Sequence, residues 1–525
     1  MKDNWFLRNH QTEDIVSSVI MSREITNVDK FLNPTLDKCN DPNLLSGSRR
    51  AARKILANIQ EGDKITIFGH DDVDGITSTV LLYRFLSKLG AKNISYYIPN
   101  REFDKFGMRE NFIHKVLKDG TKRVITVDIG ISEVESIALL RMKGIKTIIL
   151  DHHKITREHP QASAIVDPHK RNDRFPFKHL AGAGVVLNVV KVLSQMTGIP
   201  TEPVYPLLAG LGTIADRMPL VDDNRIYAKH LYYNFEQSEN PFFHFYAEKT
   251  HSLSRGKAVR QLILLLTLGR EVDGKHLGAE ILLTQKESEI KEIYSTLEKR
   301  FHNNEEQVKK VKDFIESEYK KEETHFFIYC DHKGVISANY LGVATSYITD
   351  TYRIPSLVLT KWEDDVLTAE ARAPSGFNWL DFLKKIEPYL LQYGGHKEAA
   401  GFTCHAKDYS KIHDKLQVLA EEQYKKIHNL QRESKKIYID YVLGEEQLEV
   451  NKLREIHRIF APFGEGNQPL AYLMINVDTN ELREQNFVNI PENEGNADIN
   501  IIFSILDEEF TIIDYELISK RHAIF

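Results

Sequence analysis

The feature that most restricts the fold is a regular alternation of apolar runs and amphipathic segments between residues 50 and 153. The runs KITIFG, KNISYYIP, RVITVDIG and KTIILDHH predict buried strands, and the segments between them have the apolar spacing of helices. Strands that alternate with helices in this way predict a parallel sheet with helices on both faces. Ligands of such sheets bind at the carboxyl ends of the strands, so we expect a functional site at that edge.

Ionisable residues follow these strands at the expected edge. Asp71, Asp72 and Asp74 come after the first strand, Asp128 ends the third, and the run Asp151-His152-His153 ends the fourth. Carboxylates this close repel one another, so the arrangement is costly unless a cation or solvent offsets the repulsion.

The residue types fit a site for hard divalent cations. Such ions prefer oxygen ligands, and imidazole broadens the choice toward manganese. His70, Asp72 and Asp74 alternate along the chain, so on an extended backbone they point the same way, while we expect Asp71 to face solvent. The expected metal ligands are His70, Asp72, Asp74, Asp128, His152 and Asp216. Two cations about 4 Å apart, bridged by one carboxylate, would activate a water molecule to attack a phosphorus atom.

Each residue also has a simpler explanation. A single aspartate at a strand end more often caps a helix or forms a turn. A single histidine is more often a hydrogen-bonded structural group. The metal site is favoured because the whole set is expected at one edge of the sheet.

Beyond this region the chain divides further. A second alternating unit begins at THFFIYC, and the strand-rich part after residue 436 resembles a small barrel. The predicted domains are residues 1–235 (α/β core), 236–322 (helical connector), 323–430 (second α/β domain) and 431–525 (β-barrel).

Cysteine usage and charge exclude several classes. The three cysteines have no paired spacing, which argues against a disulfide framework and a thiolate zinc site. No stretch of about 18 apolar residues appears, and the first residues lack the apolar core of a signal peptide. We therefore expect a cytoplasmic protein without membrane contact.

The charge of the chain is unevenly distributed. Residues 431–525 contain nine Lys and Arg against 18 Asp and Glu, a balance of −9. Because the net charge of the chain is −6, residues 1–430 carry +3. A polyanion would be held mainly by the larger part.

Several motifs resemble a known family. GHDDVDGITS, TVDIGIS, LDHHK and GTIADRMPL resemble the DHH phosphoesterase superfamily, named for the run Asp151-His152-His153. More narrowly, FLNPTLDKCNDPNLL, LAGAGVVLNVV, YGGHKEAAGFT and FAPFGEGNQPLA are similar to RecJ family segments, in the RecJ order. These motifs span most of the chain.

The resemblance implies a two-metal core, a DHHA1 cap domain that grips a nucleic-acid strand, and a terminal OB-fold. It implies that Asp128 bridges the two cations, Asp151 supports the neighbouring histidine, and His153 faces the scissile phosphate. The implied catalytic residues are Asp128, Asp151, His152 and His153. The implied substrate-binding residues are Arg101, Arg270, Arg372, Gly394, Gly395 and His396.

The chain also departs from the family pattern. His70 replaces the usual aspartate, which favours manganese over magnesium. Glu370 stands near Arg372, where a carboxylate would repel a 5′ phosphate. The acidic terminal domain would be a poor electrostatic partner for DNA unless its basic residues cluster on one face.

The resemblance implies a metal-dependent exonuclease that hydrolyses single-stranded DNA from the 5′ end to mononucleotides, in DNA repair and recombination. We expect two Mn²⁺ or Mg²⁺ ions, a monomer, and single-stranded DNA as partner, with a single-strand-binding protein or a helicase as further partners. Two alternatives stay open: a phosphodiesterase for short oligonucleotides or cyclic dinucleotides, and a non-catalytic scaffold that binds single-stranded DNA.

Overall fold

A computed structural model describes residues 2–8, 11–100, 108, 110–155, 159–319, 325–444, 450–491 and 498–518. The chain divides into two compact units, one of Met1–Leu7 with His302–Ile439 and one of Arg8–Phe301 with Asp440–Phe525. The four-domain division given above stays a prediction. Among the described residues, no helix has both the length and the apolar character needed to span a bilayer.

The strands are β1 (Trp5–Leu7), β2 (Ile65–Gly69), β3 (Ile94–Tyr97), β4 (Arg123–Val127), β5 (Lys146–Leu150), β6 (Ala164–Val166), β7 (Phe327–Asp331), β8 (Ser356–Glu363), β9 (Val366–Arg372), β10 (Leu390–Gly395), β11 (Ala399–His405), β12 (Ile437–Ile439), β13 (Tyr441–Leu443), β14 (Tyr472–Asp478), β15 (Asp498–Leu506) and β16 (Glu509–Leu517). The helices are α1 (Ile15–Ser22), α2 (Val28–Leu32), α3 (Ser48–Gln60), α4 (Val73–Lys88), α5 (Glu110–Lys118), α6 (Val134–Met142), α7 (Gly182–Thr197), α8 (Val204–Ala215), α9 (Asp222–Asn234), α10 (Pro241–Thr250), α11 (Arg255–Thr267), α12 (Leu277–Leu283), α13 (Glu287–Glu318), α14 (Leu341–Tyr352), α15 (Trp379–Ile386), α16 (Tyr409–Glu422), α17 (Tyr424–Ser434), α18 (Val450–Phe460) and α19 (Thr479–Glu484).

The predicted parallel sheet is confirmed. Its strand order is β3-β2-β4-β5-β6, and every neighbouring pair is parallel. Gly69 pairs with Val127, and Val127 pairs with Leu150. The residues that follow β2, β4 and β5 therefore leave the sheet side by side.

Helices cover both faces of this sheet. Ile65 and Ile67 of β2 belong to a core shared with α3, α4, α7 and α8, while Phe68 belongs to a second core shared with α5 and α6. Because successive strand residues point to opposite faces, one strand contributes to both cores. Complete burial of a side chain such as Ile67 stabilises the fold by roughly 1.5–3 kcal/mol. The site edge is thus supported by two packed layers.

The parallel sheet lies in the unit of Arg8–Phe301 with Asp440–Phe525. The other compact unit, Met1–Leu7 with His302–Ile439, contains the second α/β region expected from the sequence. Its five-stranded sheet has the order β10-β11-β9-β8-β7, in which β7 and β8 are parallel and the remaining pairs are antiparallel. Trp379 of α15 is fully buried and packs with Phe377 and Phe382. This unit is mixed α/β, as predicted.

The C-terminal strands form a small sheet within the larger unit. The order is β13-β14-β15-β16, with a parallel first pair and antiparallel pairs after it. Its core includes Ile15, Val19 and Phe31 from the N-terminal part of the chain. The arrangement is consistent with the OB-like domain expected from the sequence. It also places residues near both ends of the chain in one core.

Candidate metal centre

The ionisable residues converge where the sequence predicts. His70 follows β2, Asp128 follows β4 and Asp151 follows β5, so all three leave the sheet at its carboxyl edge. Asp72 caps α4 by accepting the N–H of Gly75 at 2.9 Å. The helix cap that could explain Asp72 alone is therefore present, but it occupies only one carboxylate oxygen.

Asp74 is held by the first turn of α7. The N–H groups of Gly182 and Ala183 donate to its two carboxylate oxygens at 2.6 and 2.9 Å, and Asp74 is fully buried. A Cβ atom at Gly182 would lie 2.6 Å from the Cβ of Asp128, so only glycine allows this approach. One helix start thus fixes Asp74 and packs against Asp128.

Three overlapping groups of side chains bring metal-ligating atoms within 4.8 Å of one another. The groups are Asp128, His152 and His153; His70, Asp72 and Asp128; and Asp74, His152 and Asp216. Asp128 and His152 each belong to two groups. All the predicted metal ligands therefore lie in one connected cluster.

Individual distances describe the cluster. The Nε2 of His152 lies 3.0 Å from Asp128 Oδ1, 3.5 Å from Asp216 Oδ2 and 3.9 Å from Asp74 Oδ2. The Nδ1 of His70 lies 2.8 Å from Asp72 Oδ2 and 3.8 Å from Asp128 Oδ2. The two carboxylate oxygens of Asp128 thus face different histidines, as a bridging ligand would require.

Burial and mutual repulsion disturb the carboxylates. Burial and the charges of Asp216 and Asp72 raise the pKa of Asp74 to about 8. Burial and the charges of Asp74 and Asp72 raise the pKa of Asp128 well above its usual range. Burial and the charge of Asp72 raise the pKa of Asp216 to about 6. A cation placed among these groups would favour their ionised forms.

Buried polar atoms of this cluster lack hydrogen bonds within the described part of the chain, and this favours a bound divalent cation. Among the described residues, neither ring nitrogen of His152 nor the Oδ1 of Asp128 makes a hydrogen bond of good geometry, although His152 Nε2 and Asp128 Oδ1 are 3.0 Å apart, and both side chains are buried. Buried polar atoms without partners are rare because they cost free energy. Burial and the charge of His153 lower the pKa of His152 to about 3, so its ring is neutral and able to ligate.

Asp151 organises the loop after β5. Its carboxylate accepts N–H groups from Ile131, His152 and His153, and its Oδ1 lies 2.8 Å from the Nδ1 of His153. Burial alone would raise the pKa of Asp151, but the hydrogen bond with His153 and the charges of both histidines hold it below its usual range. Burial alone would lower the pKa of His153, yet Asp151 raises it to about 9.

The expectation that Asp71 faces solvent is wrong. Its side chain is 2% exposed. The Nε atom of Arg270 lies 3.4 Å from Asp71 Oδ2, and the Nε2 of His70 lies 3.7 Å from Asp71 Oδ1. A distant arginine thus covers this carboxylate, which spacing along the chain cannot reveal. Arg270 itself is placed beside the cluster.

The remaining predicted residues lie elsewhere. Arg101 falls outside the described residues. Arg372, Gly394, Gly395 and His396 belong to the other compact unit. There Arg372 forms an ion pair with Glu370 at 2.8 Å, and the N–H of His396 donates to the carbonyl oxygen of Ala399 at 2.7 Å. The carboxylate expected beside Arg372 is therefore in contact with it.

Residue patterns missed the groups that hold Asp74. These are the N–H groups of Gly182 and Ala183 and the close approach of Gly212, where a Cβ would lie 2.3 Å from Asp74 Oδ1. The glycines of LAGAG and AGLGT are the available signal, since glycine permits close backbone approach. Their partner lies more than a hundred positions away, so the sequence alone does not identify it.

Comparison with known proteins confirms the family resemblance. Residues 64–214 match the N-terminal domain of the DHH family. The single-stranded-DNA-specific exonuclease RecJ of Bacillus subtilis is 27% identical over 480 residues, which are 90% of this chain and 60% of that protein. The RecJ of Haemophilus influenzae is 28% identical over 431 residues, covering 76% of this chain and 73% of that protein. The chain thus spans less than two thirds of the length of the Bacillus relative.

The fold agrees with solved structures. The crystal structure of RecJ with Mn²⁺ from Thermus thermophilus has a TM-score of 0.76 at 20% identity, and the match covers 98% of this chain and 80% of that one. A second structure, of exonuclease RecJ bound to manganese, has a TM-score of 0.62 at 24% identity and covers 72% of this chain and 95% of that one.

Proposed function

This chain contains a DHH-family N-terminal domain and resembles RecJ along most of its length, and from this premise we propose that it is a metal-dependent exonuclease. It hydrolyses phosphodiester bonds of single-stranded DNA from the 5′ end and releases mononucleotides. The RecJ relatives bear the name of single-stranded-DNA-specific exonucleases. The proposal assigns their reaction class to this chain.

The observation that carries the proposal is the shared position of Asp128. This carboxylate belongs to two of the three donor groups, and His152 links it to the third. Such overlap suits two neighbouring cations better than one. We assign His70, Asp72 and Asp128 to one cation, and Asp74, Asp128, His152 and Asp216 to the other. Mn²⁺ or Mg²⁺ fits these oxygen and imidazole donors.

Two divalent cations at such a site supply a nucleophile from water at neutral pH and offset the charge that develops on phosphorus. The residues of this chain do the rest. Asp128 holds the two donor groups together. The N–H groups at the start of α7 keep Asp74 oriented, so its oxygens need no rearrangement during the reaction. Hydrolysis adds the oxygen of water to phosphorus and breaks one ester bond.

His153 is proposed to contact the scissile phosphate. Its Nδ1 faces Asp151, and its side chain is 39% exposed. That contact fixes the ring and leaves Nε2 to donate a hydrogen bond to a phosphate oxygen. Asp151 therefore acts through His153 and not on the substrate itself.

Arginines and backbone groups are proposed to hold the strand. Arg270 lies beside the cluster with its side chain 32% exposed, and Arg101 is assigned the same task on resemblance alone. In the other unit we assign Arg372, Gly394, Gly395 and His396 to phosphate contacts. Guanidinium groups pair with phosphate in a bidentate way, and paired glycines expose N–H groups to anions. A single-strand-binding protein or a helicase would present the substrate.

A labelled oligonucleotide tests the function. A single-stranded 30-mer labelled at the 5′ or the 3′ end is incubated with the protein and Mn²⁺, and the products are measured over time. The proposal predicts that the 5′ label appears at once as a mononucleotide, while the 3′ label passes through successively shorter strands. A matched blunt duplex should stay intact. Release starting at the 3′ end, or equal cutting of the duplex, would contradict the proposal.

A further inference from the structure

Asp216, the last donor in the chain, stands at the start of a strained linker. Helix α8 ends at Ala215, and α9 begins at Asp222. Arg217 and Asp222 both have a φ of 51°. This left-handed conformation is unfavourable for a residue other than glycine. The turn at Arg217 is closed locally, because the N–H groups of Arg217 and Met218 donate to the carbonyl oxygens of Ile214 and Thr213. Contacts from elsewhere therefore act on the rest of the linker, at residues 219–221.

A turn in the C-terminal segment makes such contacts. We call residues 463–467 the bracing turn. The N–H of Leu220, in the linker, donates to the carbonyl oxygen of Glu465 at 2.7 Å. Leu220 is 3% exposed, so water does not compete for this hydrogen bond. The middle of the linker is thus tied to the bracing turn.

Two glycines let the bracing turn lie directly against the linker. A Cβ at Gly464 would be 2.9 Å from Leu220 Cδ1. A Cβ at Gly466 would be 3.1 Å from the Cβ of Pro219 and 3.7 Å from the N of Leu220. At Gly464 the end of the buried Leu220 side chain would have to shift, and at Gly466 the ring of Pro219 would have to give by a few tenths of an ångström. Any side chain at these positions would push on the linker.

The bracing turn is itself rigid. Gly464 and Asn467 exchange backbone hydrogen bonds of 2.9 and 3.1 Å. The buried side chain of Asn467 donates to the carbonyl oxygens of Phe460 and Pro462 at 2.8 and 2.9 Å. Because its own hydrogen bonds are satisfied, the turn can hold the linker without deforming.

A second anchor fixes the far end of the linker. Arg225 in the first turns of α9 is fully buried. Its Nε donates to the carbonyl oxygen of Phe31 at 2.7 Å, and its Nη2 donates to those of Ile459 and Ala461 at 3.1 and 3.3 Å. The segment that ends at the bracing turn therefore also holds the start of α9.

We propose that the bracing turn positions Asp216 and so sets the affinity of the Asp74–His152–Asp216 group for a divalent cation. The inference rests on the proposed function, because it requires that this group binds a cation. Metal ligands must be held within a few tenths of an ångström of their bonding distances. A shift of the linker would move Asp216 away from His152, while the donors His70, Asp72 and Asp128 would keep their places.

Glycine substitutions test the inference. Gly466→Ala and Gly464→Ala add a methyl group against the linker. Gly198→Ala is the matched control, because Gly198 has a φ of 73°, close to the 69° of Gly466, and no atom within 4 Å of its missing Cβ. Mn²⁺ binding to each full-length variant is measured by electron paramagnetic resonance of free Mn²⁺, well below the melting temperature, with circular dichroism to confirm folding.

The expected result is selective. The wild type and Gly198→Ala each bind two ions, and each ion has the same affinity in Gly198→Ala as in the wild type. Gly466→Ala and Gly464→Ala lower the affinity for one ion by about tenfold or more, which is the effect typical of residues that orient metal ligands. They change the affinity for the other ion less than twofold. In an Asp216→Ala background, which lacks that ligand, Gly466→Ala should have no further effect.

Other results overturn the inference in distinguishable ways. If both glycine variants fold and bind two ions as tightly as the wild type, the positioning role alone is overturned. The same holds if binding of both ions weakens equally, or if Gly466→Ala still weakens binding in the Asp216→Ala background. A wild type that binds no Mn²⁺ would overturn the proposed function together with this inference.

Discussion

At the scale of single residues, Asp128 carries the greatest electrostatic cost. Its φ of 60° is left-handed, and its carboxylate is buried among Asp72, Asp74 and Asp216. Neither feature stabilises the protein without a cation. Both suit a residue retained for chemistry, because strain and perturbed pKa values concentrate at functional sites.

Asp128→Asn should therefore abolish cleavage and spare the fold. Asparagine tolerates the left-handed conformation, and loss of a repelling charge relieves the apo site. We expect nuclease activity to fall by at least about a thousandfold, with an unchanged or higher melting temperature in EDTA at pH 8. Asp364→Asn, at a fully exposed position, is the control. Cleavage by Asp128→Asn at the normal rate would refute the bridging assignment.

The pair Glu370–Arg372 leads to a prediction about binding of the 5′ end of a DNA strand. Glu370 partly neutralises an arginine that we assign to a phosphate contact. Glu370→Gln should free this arginine and tighten binding of a 5′-phosphorylated single strand severalfold, with a steeper salt dependence. Fluorescence anisotropy measures both, and Glu421→Gln on an exposed helix face is the control. Unchanged affinity and salt dependence would exclude Arg372 from the phosphate site.

At the scale of elements, the start of α7 shows what the sequence does and does not predict. The strand–helix alternation predicted the sheet, its edge and the gathering of the residues that follow its strands, because these follow from local periodicity and topology. It could not predict that α7 donates to Asp74, or that Arg270 contacts Asp71. Both contacts join residues more than a hundred positions apart and leave no periodic signal.

Two glycines of the same helix separate packing from function. Gly182→Ala would push on Asp128, whereas a Cβ at Gly184 would meet the flexible Cδ2 of Leu180 at 3.3 Å and its Cβ at an ordinary 3.5 Å. We expect Gly182→Ala to weaken Mn²⁺ binding at least about tenfold and Gly184→Ala less than threefold. Isothermal titration of both variants measures this. Equal effects would mean that α7 supports only the fold.

At the scale of the whole molecule, the cluster links stability to pH. The pKa of Asp74 is raised to about 8 and that of His153 to about 9, so between pH 7 and 8 the folded protein holds protons that the unfolded chain has lost. Stability therefore falls as pH rises through this window. His152 and His276, whose pKa values are lowered to about 3, and His457, lowered to about 4, are neutral in the folded protein. In the unfolded chain about a quarter of each is protonated at pH 7, so they oppose this slope only weakly.

The metal-free protein should thus unfold at lower urea concentration at pH 8 than at pH 7. Mn²⁺ should reduce or reverse this difference, because a cation binds the deprotonated carboxylates and releases their protons. Urea titrations in EDTA and in Mn²⁺ at both pH values measure the effect. Metal-free stability that increases from pH 7 to pH 8 would show that these groups are not buried together as described.

The most direct measurement is anomalous diffraction from crystals of the protein grown with Mn²⁺. We predict two manganese peaks about 4 Å apart, one on each side of the Asp128 carboxylate. His70 and Asp72 should ligate one ion, and Asp74, His152 and Asp216 the other. Asp128 without a metal ligand, or manganese bound only elsewhere in the protein, would contradict the central claim.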